Sequence, residues 1–584
     1  MSTAADCLIE TIHRWGVDTV FGLPGDGING IMEALRQRAD QIRFIQVRHE
    51  EAAAFMATAY AKYTGRLGCC VATSGPGAIH LLNGLYDAKL DQAPVIALTG
   101  QTYHDLIGTH YQQEINELSL FADVAVYNQR IMGPSNVRAV ADVACRTALA
   151  QRGVSHICTP TDIQHWKMPG HPSSPRVTRL TSEVHARAQC LPTPGDLQRA
   201  AALLNRGRRI CILAGQGALG AGPQLEALAD KLAAPIVKAL LGKACVPDDS
   251  PFTTGGIGLL GTRPSVEAMA HCDTLLIVGS TFPYLSFYPR PGQAHAIQID
   301  IDPGRIGLRY PVDVGLVGDA RATLEALLPL VKPHGDRAFL ERAQRGMIDW
   351  WKLMDVRGTS TDMPMHPQVV SRAISELASD TAIISTDSGT VATWIARDLK
   401  IRRGQMFSLS GNLATMACGL PYAIAAKVAY PERQSIAFVG DGAFTMLMGE
   451  FATAVKYDLP IICVVIKNNV LGQIMWEQMV FLGNPQYGVD LWPIDFAGFA
   501  RACGGVGYCV DRPQDVKPVL AEAMQSDKPV VVECVVNPYE PPMPAEITPE
   551  QAWHLAEAMA RGEPNRRRIA ETIFRDRIRE LQAV

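Results

Sequence analysis

Gly440, Asp441 and Gly442 close one apolar run, SIAFVGDG, and Asn468 closes another, IICVVIKN, 27 residues after Asp441. Both runs read as β-strands, so a carboxylate and a carboxamide stand at two strand ends. In open α/β sheets, ligands bind beyond the carboxyl ends of the strands. Two hard oxygen donors at such a place suit Mg2+, which takes the rest of its octahedral shell from water and phosphate. The flanking glycines allow a tight turn and let backbone N–H groups approach phosphate oxygens. A helix predicted to start near Phe444 aims its positive end at the same place. The chemistry open to these residues is to hold a Mg2+–diphosphate group. An ordinary strand–turn–helix with an aspartate cap would use the same Gly-Asp-Gly; the spaced Asn468 favours the ligand-binding reading.

The elements that must position these residues repeat along the chain of 584 residues, long enough for two to four domains. Residues 1–180 alternate the strands DTVFGL, IRFIQVR, LGCCVAT and APVIALTG with glycine turns and helical segments. That alternation predicts an α/β domain with a mostly parallel sheet. Pro-rich MPGHPSSPRVTRL, 168–180, marks a linker. A second α/β block covers 190–340, with strands RICILAG, APIVKAL, TLLIVGS and AIQIDID, and a third covers 365–545, with AIISTD, QSIAFVG, PIICVVI and PVVVECVV. The tail, 546–584, is charged and helical. Blocks one and three match in size and texture, which permits a duplicated architecture.

Gly-Asp-Gly followed by Asn468 resembles the signature of thiamine-diphosphate-dependent enzymes. The match is offset at one point: relatives end the motif Asn-Asn at the ligand, whereas Lys467 precedes Asn468 here, leaving Asn469 as a neighbour. The resemblance implies Asp441, Asn468 and the Val470 carbonyl as Mg2+ ligands. VRHEEAAAFMATAYAKYTG resembles the segment with the family's activating glutamate, which falls on Glu50. ATSGPGAIHLLNGLYDA follows it, and His80 there is expected near the thiazolium, as proton shuttle, substrate ligand or structural hydrogen-bond partner. TDSGTVATW resembles the diphosphate-contacting turn, at Asp387, Ser388, Gly389 and Thr390. LATMACGLP puts Met416 where the family keeps an apolar wedge beneath the thiazolium. Gly25, Ser74, Gly442, Ala443 and Ile474 complete the implied cofactor contacts. The fold implied is three Rossmann-like parallel-sheet domains, binding pyrimidine, FAD and diphosphate in turn, plus the helical tail. Glu50 and Asp441 would come from different subunits, making the protein a homodimer or homotetramer.

The middle block resembles the flavin-binding domain of pyruvate oxidases and pyruvate:quinone dehydrogenases, through GGIGLLG, GSTFPYLSFYP, IQIDID and VGDA. The resemblance implies FAD held by Gly258, Leu259, Leu260, Ser280, Thr281, Phe282, Pro283, Tyr284, Asp300 and Asp319, with Asp300 suited to a ribose hydroxyl. Acetolactate synthases keep FAD in the same place, and some relatives have a cofactor-free domain there. Glu477 stands where pyruvate oxidases have Glu and acetolactate synthases tend to have Trp. The implied activity is oxidative decarboxylation of a small 2-keto acid, with electrons passing through FAD to oxygen or quinone; a carboligase or C–C lyase is the alternative. Gln113 matches the family's active-site Gln, and Phe121 is placed in the substrate pocket. Two positions depart from the pattern: Gln112 replaces a usual Phe, and Gln473 replaces a usual aromatic. Buried amides require partners, so the pocket is expected to suit a keto acid more polar than pyruvate.

Composition narrows the remaining classes. Apolar residues make up 47% and charged ones 19%, as in a well-buried globular protein. A net charge of −4 gives no basis for nucleic-acid binding. The 14 cysteines lack zinc spacing and read as reduced core residues of a cytoplasmic protein. The N-terminus lacks the features of a signal peptide, and no apolar run reaches the ~18 residues of a membrane span. In the tail, RRRIAETIFRDRIREL spaces Ile569, Ile573, Ile578 and Leu581 at helical intervals among arginines. Packing against the body is the ordinary reading; peripheral contact with anionic lipid is the less favoured one.

Overall fold

The computed structural model describes residues 2–168, 189–542 and 548–583. Beyond Met168 the expected linker lies outside the described residues, as do 543–547, at the junction of the third block and the tail, and the side chain of Leu581.

Three six-stranded sheets carry the fold. The first runs Arg43–Gln46, Thr19–Gly22, Gly68–Ala72, Val95–Gln101, Val154–Pro160, Ala125–Arg130 across its width. The third runs Met406–Ser408, Ile383–Thr386, Ser435–Gly440, Ile461–Lys467, Val530–Val535, Val506–Val510. Numbered by chain order within each sheet, both read 2-1-3-4-6-5, so the duplicated texture of the sequence reflects a shared topology. The middle sheet reads 3-2-1-4-5-6, from Thr253–Gly256 through Ile236–Lys238, Ile210–Ala214, Thr274–Val278 and His295–Asp300 to Val314–Val317. Neighbouring strands pair in parallel within all three sheets. Interior strands such as Ile461–Lys467 are buried along their whole length, which is why they read as unbroken apolar runs.

Strands without such runs escape the sequence reading. Ala125–Arg130 and Val506–Val510 are edges with only partial burial. Val154–Pro160 is internal, but it interleaves Ser155, His156 and Thr159 with its apolar residues. The helix expected near Phe444 begins at Asp441, with Gly440 as its cap.

Helices Glu50–Thr64 and Gly419–Ala429 pack together and fuse the first and third domains into one core. Their alanines, among them Ala53, Ala54, Ala57, Ala423 and Ala426, permit that close approach. The tail forms helices Pro549–Ala560 and Arg566–Ala583. Ala558 and Ile569 are buried with Met475, Trp476, Met479 and Val480, so the tail packs behind helix Gly472–Val480. Asn537 Nδ2 donates to Thr572 Oγ1 at 3.2 Å, while Phe574 and Ile578 remain exposed. Among the described residues no helix is long and apolar enough to cross a membrane.

Candidate active site

The switch point of the third sheet, between strands Ile383–Thr386 and Ser435–Gly440, brings the two opening residues together. Asp441 Oδ2 accepts from the backbone N–H of Asn468 at 3.1 Å and of Asn469 at 2.6 Å, and Oδ1 accepts from Gly442 at 2.9 Å. The loop after strand Ile461–Lys467 is thereby folded over the carboxylate. Asn469 takes a left-handed φ of 55° to do so, a conformation that Asn tolerates well. The Val470 carbonyl accepts from Gly472 N–H at 2.8 Å, closing a tight turn at Leu471 and keeping a lone pair in reserve. Burial raises the Asp441 carboxyl above its ordinary range despite the three donors, as fits a group placed to meet a cation. Lys467 is taken up by Glu533 at 2.6 Å and is structural.

Three helices begin around this point: Thr390–Arg397, Asp441–Leu447 and Gly472–Val480, none with a capping side chain. The Gly442 and Gly472 N–H groups are already taken, by Asp441 Oδ1 and the Val470 carbonyl, which leaves the other N–H groups of these first turns to serve an anion. Gly389, at φ 104°, faces open space where a Cβ would lie, and it lines the cavity. Met416 Cε lies 3.6 Å from the Cβ position of Gly442, which seats the methionine beside the diphosphate turn. These residues fit a Mg2+-bound diphosphate. Asp387 departs from expectation: it is 1% exposed and accepts from Gly419 N–H at 2.8 Å, so it braces the turn from beneath instead of lining the cavity. Its burial pushes the carboxyl up to about 6.

One cavity of about 1930 Å3 joins this point to the switch point of the middle sheet. Ser388, Gly389, Thr390, Met416, Asp441, Gly442, Ala443, Asn468, Val470, Gln473, Ile474 and Glu477 line one end. Leu259, Leu260, Ser280, Thr281, Phe282, Pro283, Tyr284, Asp300 and Asp319 line the other, with Arg305, Arg309 and Arg321 among them. Acids for hydroxyls and arginines for phosphate fit a dinucleotide at a 3-2-1-4-5-6 sheet. Two expectations shift. Gly258 stands behind the wall, its Cβ position 3.0 Å from the Phe282 ring. Asp319 also caps the helix Ala320–Leu327, through Ala322 N–H at 2.9 Å.

The remaining predicted residues gather at the switch point of the first sheet, outside that cavity. Glu50, 6% exposed, opens helix Glu50–Thr64 and bonds His80 Nδ1 at 2.9 Å. His80 stacks on His49 with ring centres 4.5 Å apart. Ser74 Oγ donates to Gln113 Oε1 at 3.2 Å. Gly25 and Gly75 allow the close packing, with Thr73 and Gln113 within 2.6 Å of their Cβ positions. Gln112 and Gln113 are exposed. Phe121 does not belong to this group: it is fully buried and stacked on His156, centre to centre 3.8 Å, as a core residue. One chain therefore carries two separate clusters, one with Glu50 and one with Asp441.

Two positioning groups escaped the sequence reading. Glu450 Oε1 accepts from the N–H groups of Arg48 and His49 at 2.8 and 2.9 Å, so the third domain holds the residues just before Glu50. Burial pushes its carboxyl up to about 6. Asp91 accepts from Lys62 Nζ at 2.5 Å and from the N–H groups of Gly411 and Asn412 at 2.9 Å each, fixing the loop that leads to Met416. Single charged residues in these segments offer no spacing to detect.

The chain matches the family descriptions "Thiamine pyrophosphate enzyme, N-terminal TPP binding domain" over residues 2–120, "central domain" over 197–327 and "C-terminal TPP binding domain" over 387–534. It is 42% identical over 557 residues to the putative thiamine pyrophosphate-containing protein YdaP of Bacillus subtilis, covering 95% of each chain. It is 34% identical over 549 residues to a pyruvate oxidase of Lactiplantibacillus plantarum, covering 93% of this chain and 90% of that one. A probable acetolactate synthase large subunit of Methanocaldococcus jannaschii is 33% identical over 555 residues, covering 92% of each.

Proposed function

The chain belongs to the thiamine pyrophosphate enzyme family, and from that premise we propose that it catalyses oxidative decarboxylation of a small 2-keto acid, using thiamine diphosphate, Mg2+ and FAD. The observation that carries this reading is the single cavity of about 1930 Å3 joining the Asp441 end to the middle domain. It is about twice the upper size of a pocket for one ligand. Its far end offers the groups a dinucleotide requires.

When bound, thiamine diphosphate supplies the carbon nucleophile and electron sink for decarboxylation. Asp441, Asn468 and the Val470 carbonyl hold Mg2+. The helix starts at Thr390, Asp441 and Gly472 bind the diphosphate, and Met416 supports the ring beside it. Glu50 of a second copy supplies the carboxyl that hydrogen-bonds the pyrimidine, with His80 holding that carboxyl in place. The separation of the two clusters on one chain supports a homodimer as the smallest active unit, and pairs of such dimers would make a tetramer. Oxygen or a quinone would accept the two electrons that leave the acyl carbon. The identity to acetolactate synthases supports a second reading, carboligation without net oxidation.

Mixing the protein anaerobically with thiamine diphosphate, Mg2+ and 2-keto acids tests both. Bleaching of a flavin band with loss of CO2 is the expected result. Consumption of substrate with the band intact would move the answer to carboligation, and the absence of a flavin band would overturn the reading of the middle domain.

A further inference from the structure

Gln473 lines the cavity, yet its Oε1 is buried without a hydrogen-bond partner. Its other amide atom is committed: Nε2 donates to Glu477 Oε1 at 3.0 Å, one helical turn on. That bond fixes the orientation of the amide, because the reversed amide would set its oxygen against the Glu477 carboxylate. The unmatched group is therefore an acceptor, and a buried acceptor left unpaired is costly.

The position of Gln473 assigns the missing donor to the reacting end of the cavity. Its neighbour Gly472 has its Cβ position 3.2 Å from Asn468 Nδ2 and 3.1 Å from Thr390 Cγ2, within the proposed metal and diphosphate site. Met416 lines the same end. A ligand held at this end of the cavity lies nearer Gln473 than a nucleotide at the far end.

We propose that the natural substrate is a 2-keto acid carrying a hydrogen-bond donor, a hydroxyl in the simplest case, on the carbon next to its keto group. This rests on the 2-keto acid reading above and narrows it. Gln473 acts as the specificity residue by accepting from that hydroxyl. A methyl group of the same size would leave the amide oxygen unpaired.

Hydroxypyruvate and 2-oxobutyrate form the matched pair, hydroxyl against methyl, with pyruvate as the smaller reference. The holoenzyme should favour hydroxypyruvate over 2-oxobutyrate by about 10- to 100-fold in kcat/KM, and Gln473→Met should bring that ratio close to one. Calorimetric titration with the corresponding acylphosphonates, which cannot lose CO2, should give the same order of affinity and the same collapse in the variant. Equal use of the two keto acids by the wild-type protein overturns the proposal without need of the variant and leaves the 2-keto acid reading standing. A preference that survives Gln473→Met also overturns it. Failure to consume any of the three keto acids, with thiamine diphosphate bound, overturns the function reading and this proposal together.

Discussion

The first and third domains share the strand order 2-1-3-4-6-5 but load their switch points with different chemistry. In the third, helix starts without caps surround a buried acid and an amide, an arrangement for metal and anion. In the first, Glu50 with His80 and Ser74 with Gln113 form two hydrogen-bonded pairs, the former suited to protons. The helix after the second strand makes the contrast sharp. It opens with Glu50 in one copy, while in the other it is preceded by Met416, and the two helices pack together in one core. Topology fixes where a site forms, and the loop residues decide whether it grips a cofactor or activates one.

The largest expected effect separates those roles. Asp441→Ala removes a metal ligand and should weaken Mg2+-dependent thiamine diphosphate binding by at least about 100-fold in calorimetry. Glu50→Gln should leave that binding nearly intact and lower turnover by about 100- to 1,000-fold. Co-assembling the two variants should then restore about a quarter of wild-type turnover, because half of randomly mixed dimers hold one intact site of two. No recovery would mean that both clusters serve a site within one chain.

Contacts between the domains inside one chain should matter for stability. Asp91→Ala removes the nearer of two carboxylates beside the buried Lys62, leaving Asp87 at 3.5 Å, and strands the N–H groups of Gly411 and Asn412; it should destabilise the protein by about 2 kcal/mol, visible as a lower melting temperature. The smallest effect concerns Glu450, whose folded carboxyl is raised to about 6 from an ordinary 4.5. Folding therefore favours its protonated form; that contribution is complete below about 4.5 and is lost as pH rises through about 6. Glu450→Gln keeps an acceptor for Arg48 and His49 without the charge. Its melting temperature relative to wild type should rise by a few degrees from pH 5 to pH 8; a constant difference would show that the carboxylate is not strained at neutral pH.

Sequence legibility followed unbroken apolar runs, so the fully buried but polar-studded Val154–Pro160 went unread. The interior strands, such as Ile461–Lys467 and Thr274–Val278, read directly because both faces are covered. Edges such as Met406–Ser408 and Val314–Val317 are too short or too open to leave that pattern. At the candidate site, Asp441 and Asn468 were legible from chemistry and spacing, and Glu50 from resemblance. Phe121 was misplaced because an aromatic ring near a polar loop serves a core as readily as a pocket. Asp387 and Gly258 lie one layer behind the cavity, a depth that a linear motif does not encode. Glu450 and Asp91 act on backbone N–H groups, which have no sequence signature at all.

The three helix starts without caps also bear on the fate of the protein before it acts. Without a bound anion, three helix starts without capping side chains turn their positive dipole ends toward the same cavity. Whatever neutralises them stabilises the folded chain in proportion to its saturation. The vitamin-derived cofactor is then a determinant of survival as well as of catalysis. In cells starved of thiamine the apoprotein should be the form that proteases clear, so vitamin supply would govern how many molecules persist before it limits how fast each one works.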